Sequence, residues 1–99
     1  MTLEEITEKI EQRLGRGGFN HTALFDFDED GKVFIDGTQS PPVIVNEERD
    51  AEVTLASTID TFSKILTGDQ DPNFAFMLGK LKVRGSMGLA LKLNSMLEA

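Results

Sequence analysis

Between His21 and Gly37 apolar residues fall at every second position on both sides of Asp30-Gly31, and no other stretch restricts the fold as tightly. Ala23, Phe25 and Phe27 point one way and Thr22, Leu24, Asp26 and Asp28 the other, the period of a strand rather than a helix. Past the turn dipeptide, Val33, Ile35 and Gly37 alternate with Lys32, Phe34 and Asp36, which predicts a second strand paired with the first. A hairpin with an apolar face is marginal alone, so other elements have to cover that face.

The flanking segments supply them. Thr2 and Glu5 make a capping box, and Leu3, Ile6, Ile10 and Leu14 recur at helical spacing until Gly15 stops the helix. Pro41-Pro42 excludes helix and predicts a short edge strand over Val43 to Val45. Ala51, Val53 and Leu55 alternate with Glu52 and Thr54 in another strand, after which Ser57 or Thr58 caps a helix bearing Ile59, Phe62, Ile65 and Leu66 that Gly68 ends. Asp71-Pro72 opens a short helix through Phe74 to Leu78, closed by Gly79, and Leu81 and Val83 form the last strand. In the final helix Leu89, Ala90, Leu93, Met96 and Leu97 make a core-facing arc. Strand runs followed by helix runs, with one candidate crossover, predict a layered α+β domain.

A chain of 99 residues is enough for one core, and we read residues 1–99 as a single domain. No run approaches the roughly 20 apolar residues that span a bilayer, and the charged first residues are not signal-like, which points away from membrane spanning and secretion. The chain has no Cys, so disulfides, thiolate nucleophiles and Cys-ligated metals are out, and the cytoplasm is the expected compartment. A net charge of −7 argues against nucleic acid as a partner. The charge is uneven: residues 1–59 hold thirteen acids and five bases, whereas residues 72–97 hold Lys80, Lys82, Arg84 and Lys92 and no acid. An anionic membrane surface or acidic partner would meet that C-terminal segment.

Several motifs invite a sharper reading. Asp26 to Gly31 matches the start of a calcium loop, but its twelfth position is Gly37 rather than a bidentate Glu and its flanks have strand period, so a metal-independent hairpin turn is the better account. Gly15-Arg16-Gly17-Gly18 precedes a strand rather than a helix, which removes the dipole a phosphate loop needs. His21 is the only histidine, with no nucleophile placed beside it, and no nucleophile and base pair can be identified anywhere. The chain is therefore read as a non-enzyme that needs no cofactor or metal. Lys80, Lys82 and Arg84 fall on one face of the last strand, solvated or in contact with an anion. Met87 and Leu91 lie outside the arc of the final helix, near the azimuth of Asn94 and Glu98. With Phe62, Phe74, Phe76 and Met77 they exceed what two layers obviously need, and two readings stand: ordinary core and surface, or the lining of an apolar cavity.

The stretch Asp50 to Leu55, then Phe62 to Gly68, then Asp71-Pro72 and above all Ala75 to Leu93 resembles the sterol carrier protein family, and the N-terminal helix and hairpin agree in order and spacing. The resemblance implies a five-stranded, mostly antiparallel sheet covered by helices, with a hydrophobic tunnel between the layers for a fatty acyl, isoprenoid or sterol-like lipid. It implies transfer without catalysis. The expected tunnel wall comprises Phe25, Phe27, Leu81 and Val83 on strands, and Phe62, Ile65, Phe74, Phe76, Met77, Met87 and Leu91 on helices. Ser86 stands where the family usually has an acidic or amide residue, a change that keeps a helix cap. The last residues, Met96 to Ala99, lack the Ser-Lys-Leu type address that some relatives carry, so a freestanding cytoplasmic form is expected, as a monomer or homodimer. The rival is a protein-interaction or dimerisation module that delivers a lipid substrate to a partner enzyme.

Overall fold

A computed structural model describes residues 1–98. In chain order the elements are α1 (Leu3–Leu14), β1 (Thr22–Asp26), β2 (Lys32–Asp36), β3 (Val43–Val45), β4 (Val53–Ala56), α2 (Ile59–Thr67), α3 (Pro72–Met77), β5 (Lys82–Gly85) and α4 (Met87–Leu97). The five strands form one sheet in the order β3-β2-β1-β4-β5. Three pairings are antiparallel and one, β1 with β4, is parallel. No helix among the described residues is long and apolar enough to cross a membrane.

Local chemistry sets the helix ends where the sequence predicts them. Thr2 accepts from the Glu5 backbone while the Glu5 carboxylate accepts from the Thr2 backbone, which satisfies two amide groups that the first turn of α1 leaves open. Thr58 caps α2, Asp71 caps α3 ahead of Pro72, and Ser86 caps α4. The strands follow the predicted alternation, and the turn between β1 and β2 differs. Rather than a two-residue Asp30-Gly31 turn, Asp28–Asp30 wind one 3-10 turn and Gly31 returns the chain at φ 114, a conformation that only glycine adopts readily.

One sheet face is the core side. Ala23, Phe25, Val33, Ile35, Val53 and Leu55 join Ile6, Ile10 and Leu14 of α1, Phe62, Ile65 and Leu66 of α2, and Ala90, Leu93 and Leu97 of α4 in one buried cluster. The opposite face carries a smaller apolar pair. Leu24 and Phe34 are cross-strand partners, 6% and 5% exposed, and the Arg49 guanidinium sits 5.6 Å above the Phe34 ring. The segment from β3 to β4 thus shields the face that helices leave uncovered.

Two expectations near the C-terminus need correcting. Lys80 is not on the last strand: the Ala75 carbonyl accepts from the amides of both Lys80 and Leu81, at 2.8 and 3.1 Å, while Gly79 takes φ 75. That closure of α3 uses up both residues, so the strand starts at Lys82. Asn94, expected beside exposed Met87, is only 9% exposed. Arg13 of α1 reaches the Leu97 carbonyl, so α1 lies against the second half of α4 and covers a wider arc there than helical geometry alone implies.

Candidate functional site

The residues expected to form one tunnel wall divide into two groups. Phe25, Phe27, Phe62, Ile65 and Leu81 are at most 2% exposed and belong to the core. Phe62 of α2 is tilted against Phe25 of β1 and Phe27 just past the strand's end, with ring centroids 5.4 Å and 5.3 Å away. Side chains fill the space between the sheet and α2, so these aromatics serve as packing and not as open wall.

The second group lies at the β5 edge and on the two later helices. Phe74, Phe76 and Met77 on α3, and Met87 and Leu91 on α4, are all exposed, Leu91 at 55% and Met87 at 48%. Val83 is half-buried on the core-side face of β5. Phe76 and Val83, with the all but buried Leu81 beneath them, line a cleft of about 540 Å³ with Ala56, Gly79 and the flanking Lys82 and Arg84. That volume is within the usual range for small-ligand sites. Phe74, Met77, Met87 and Leu91 do not line it.

Ala56, Gly79 and Lys82 are shared with an adjoining cleft of about 610 Å³, whose other walls are polar: Asp26, Asp28, Ser57, Thr58, Asp60, Thr61 and Lys80. An apolar slot therefore runs into a charged vestibule. Another depression, about 500 Å³, lies at the opposite sheet edge among Glu11, Gln12, Gly15, Arg16, Pro42 and Ile44, and has little apolar wall to hold a hydrocarbon.

Two of the vestibule carboxylates, Asp26 and Asp60, are held by cations. Asp26 receives Lys32 Nζ at 3.1 Å and Arg84 Nη2 at 3.5 Å, and accepts from the Asp28 backbone at 2.8 Å. Burial pushes the Asp26 carboxyl up, but the Asp28 amide and the Lys32 and Arg84 charges outweigh it and hold the group below its ordinary range. The hydrogen bond that Lys32 donates to Asp26, with the Asp26 charge, raises Lys32 in turn. At the far end of β1, the Thr22 amide and then His21 hold Glu52 low, with His21 Nδ1 3.2 Å from Glu52 Oε1. His21 is thus a hydrogen-bond partner of Glu52 beside the Phe19 ring, with no nucleophile in the contact.

The sequence reading missed Leu78, which is 61% exposed, and Ala56 in the cleft floor. A signal for Leu78 was available: Phe74, Phe76, Met77 and Leu78 are four large apolar residues in five, and a six-residue helix cannot bury all of its sides.

Comparison with known proteins gives one family. The family model described as the SCP-2 sterol transfer family matches residues 4–98. Hydroxysteroid dehydrogenase-like protein 2 of Xenopus tropicalis is 38% identical over 102 residues, which cover 96% of this chain and 24% of that protein. The chain spans a quarter or less of the length of the first curated relatives it matches. Among solved structures, sterol carrier protein 2 of Aedes aegypti in complex with the C16 fatty acid palmitate superposes with a TM-score of 0.77 at 22% identity, covering 98% of this chain and 96% of that one. A sec-alkyl sulfatase contains the whole fold as 17% of its chain, with a TM-score of 0.78 at 17% identity. At these identities the structural likenesses establish the fold.

Proposed function

This chain belongs to the SCP-2 sterol transfer family, and on that premise we propose that it binds one apolar lipid tail reversibly and transfers it without chemistry. The observation that carries this reading is the cleft of Phe76, Leu81 and Val83, apolar inside and flanked by Lys82 and Arg84. On this reading the exposed apolar Met87 and Leu91 of α4, which lie outside the cleft lining, come against the seated tail. Apolar contact supplies affinity, and the charged vestibule selects the headgroup. Ten buried methylenes at roughly 0.8 kcal/mol each give about 8 kcal/mol, near micromolar binding before ordering costs. A fluorescent long-chain fatty acid should bind, and each methylene removed from its tail should weaken binding up to roughly fourfold. Affinity indifferent to tail length would count against the cleft.

A second reading is favoured by the relatives' architecture: the fold forms 24% of a protein named as dehydrogenase-like and 17% of a sulfatase. On this reading the domain presents a lipid substrate to a partner enzyme. Should no acyl, sterol or isoprenoid probe bind the isolated chain, the interaction reading takes first place.

A further inference from the structure

Phe74, Met77 and Leu78 stand in solvent at 60%, 77% and 61% exposure, and none of them lines the cleft. Only Pro72 and Ala75 anchor α3 in the core. Three large apolar side chains gathered on one short element form a patch that folding alone does not account for, the mark of an interaction surface.

The surrounding charge identifies what covers it. Lys80 and Lys82 follow the patch directly and make no ion pair among the described residues, in a chain whose net charge is −7. Of the acids across the vestibule, Asp26 is held by Lys32 and Arg84, and Asp60 pairs with Lys64 at 3.3 Å. Asp28, like Asp69 and Asp71 ahead of α3, has no ion pair among the described residues, so the basic side of the patch is the one after Leu78. An apolar patch rimmed by free lysines matches the interface of an anionic bilayer. Helix α1 is no competitor, because Ile6, Ile10 and Leu14 are buried and its exposed side carries Glu4, Glu5, Glu8 and Glu11.

We propose that α3 and the turn after it dock on an anionic lipid surface. Phe74, Met77 and Leu78 enter the boundary between headgroups and acyl chains, and Lys80 and Lys82 meet the headgroups. The cleft at Phe76 then lies beside the membrane, so a tail can pass between bilayer and protein with little exposure to water. That consequence rests on the proposed lipid carriage, whereas docking itself is measured without a loaded ligand.

The test is co-flotation of the full chain with vesicles of phosphatidylcholine alone or mixed with phosphatidylserine. Capture is expected only with phosphatidylserine, and added salt should release the protein as screening shortens. Lys80→Glu should weaken capture roughly fivefold or more, at the usual strength of one basic charge near such a surface. Leu78→Glu should weaken it as well. Leu78→Glu, which touches neither cleft nor vestibule, should melt with the parent and keep its affinity for the fluorescent fatty acid in vesicle-free solution, which separates a failure of docking from a failure of lipid binding. Equal capture by both vesicle types, or capture untouched by both substitutions, overturns the proposal. So does a concentration-dependent dimer that Leu78→Glu dissociates, since the face then belongs to a second copy.

Discussion

Leu91 and Leu93 sit two positions apart on α4, and their environments are opposite: Leu91 is 55% exposed and Leu93 is fully buried. Substituting glutamine at each separates ligand contact from folding. Leu93→Gln buries an amide among apolar groups and loses packing, at a cost of about 3 kcal/mol or more. A domain of this size then melts lower by roughly 12 °C or more. Leu91→Gln should stay within about 0.5 kcal/mol of the parent in thermal melts and lose affinity for the fatty acid probe instead. Full probe affinity in Leu91→Gln would remove it from the ligand surface. The glycines give a second contrast. A Cβ on Gly85, at φ 87, would lie 2.3 Å from the Glu52 carbonyl oxygen, whereas one on Gly79, at φ 75, would meet nothing within 4 Å. Both alanine variants pay for left-handed backbone, about 1–3 kcal/mol. Only Gly85→Ala also forces β5 away from β4, so its urea midpoint should fall further than that of Gly79→Ala.

At the scale of elements, three helices are tied at one point by a side chain that no motif singles out. Arg13, in the last turn of α1, donates Nη2 to the Leu66 carbonyl of α2 at 2.9 Å and Nη1 to the Leu97 carbonyl of α4. Both acceptors belong to final turns whose carbonyls have no partner within the helix, and a guanidinium fork reaches two of them at once. Arg13→Met keeps the apolar stem and loses both charged hydrogen bonds, which should cost about 2–3 kcal/mol in urea unfolding at neutral pH. Arg13→Lys should fall between, because one ammonium cannot span the two carbonyls in the same geometry. Equal midpoints for Met and Lys would show that charge at this point contributes nothing. Sequence spacing identified α1, α2 and α4 as helices. It held no information on which side chain joins their ends, because that depends on how the helices converge on the sheet.

For the molecule as a whole, pH response follows from the lowered carboxylates. Asp26, Glu52, Glu5 and Asp36 are all held below their ordinary range, Glu5 by Thr2 and Asp36 by Thr38. Each contributes stability that is complete above its unfolded value, about 4, and is lost as pH falls through its lower folded value. Lys32 is raised, so its contribution is complete below the ordinary lysine value, about 10, and is lost as pH rises through the folded one. Stability should therefore be level from about pH 5 to 9 and decline at both ends. In Asp26→Asn the acid decline should be shallower and the alkaline decline should shrink with it, because Lys32 loses the partner that raises it most. A pH series of thermal melts reads both limbs, and an unchanged alkaline limb would break the assignment of the pair.

Period, caps and turn residues were enough to identify every helix and strand, though not where β5 starts, since each is a local property: the Thr2 and Glu5 box, the Asp71-Pro72 start of α3 and the alternation from Ala23 to Ile35 act over a few residues. They also put Met87 and Leu91 outside the core arc of α4, where both are found. Three features came only from the tertiary structure. Phe25, Phe27 and Phe62 read equally well as cavity wall or core, and only the approach of α2 to the sheet closes them against one another. Lys80 leaves the strand because Ala75, five residues earlier, captures its amide. Lastly, α3 exposes Phe74, Met77 and Leu78 because the fold places no neighbour over that side. Local sequence specifies which elements form and which face of each is apolar, whereas the meeting of distant elements decides which apolar faces are covered.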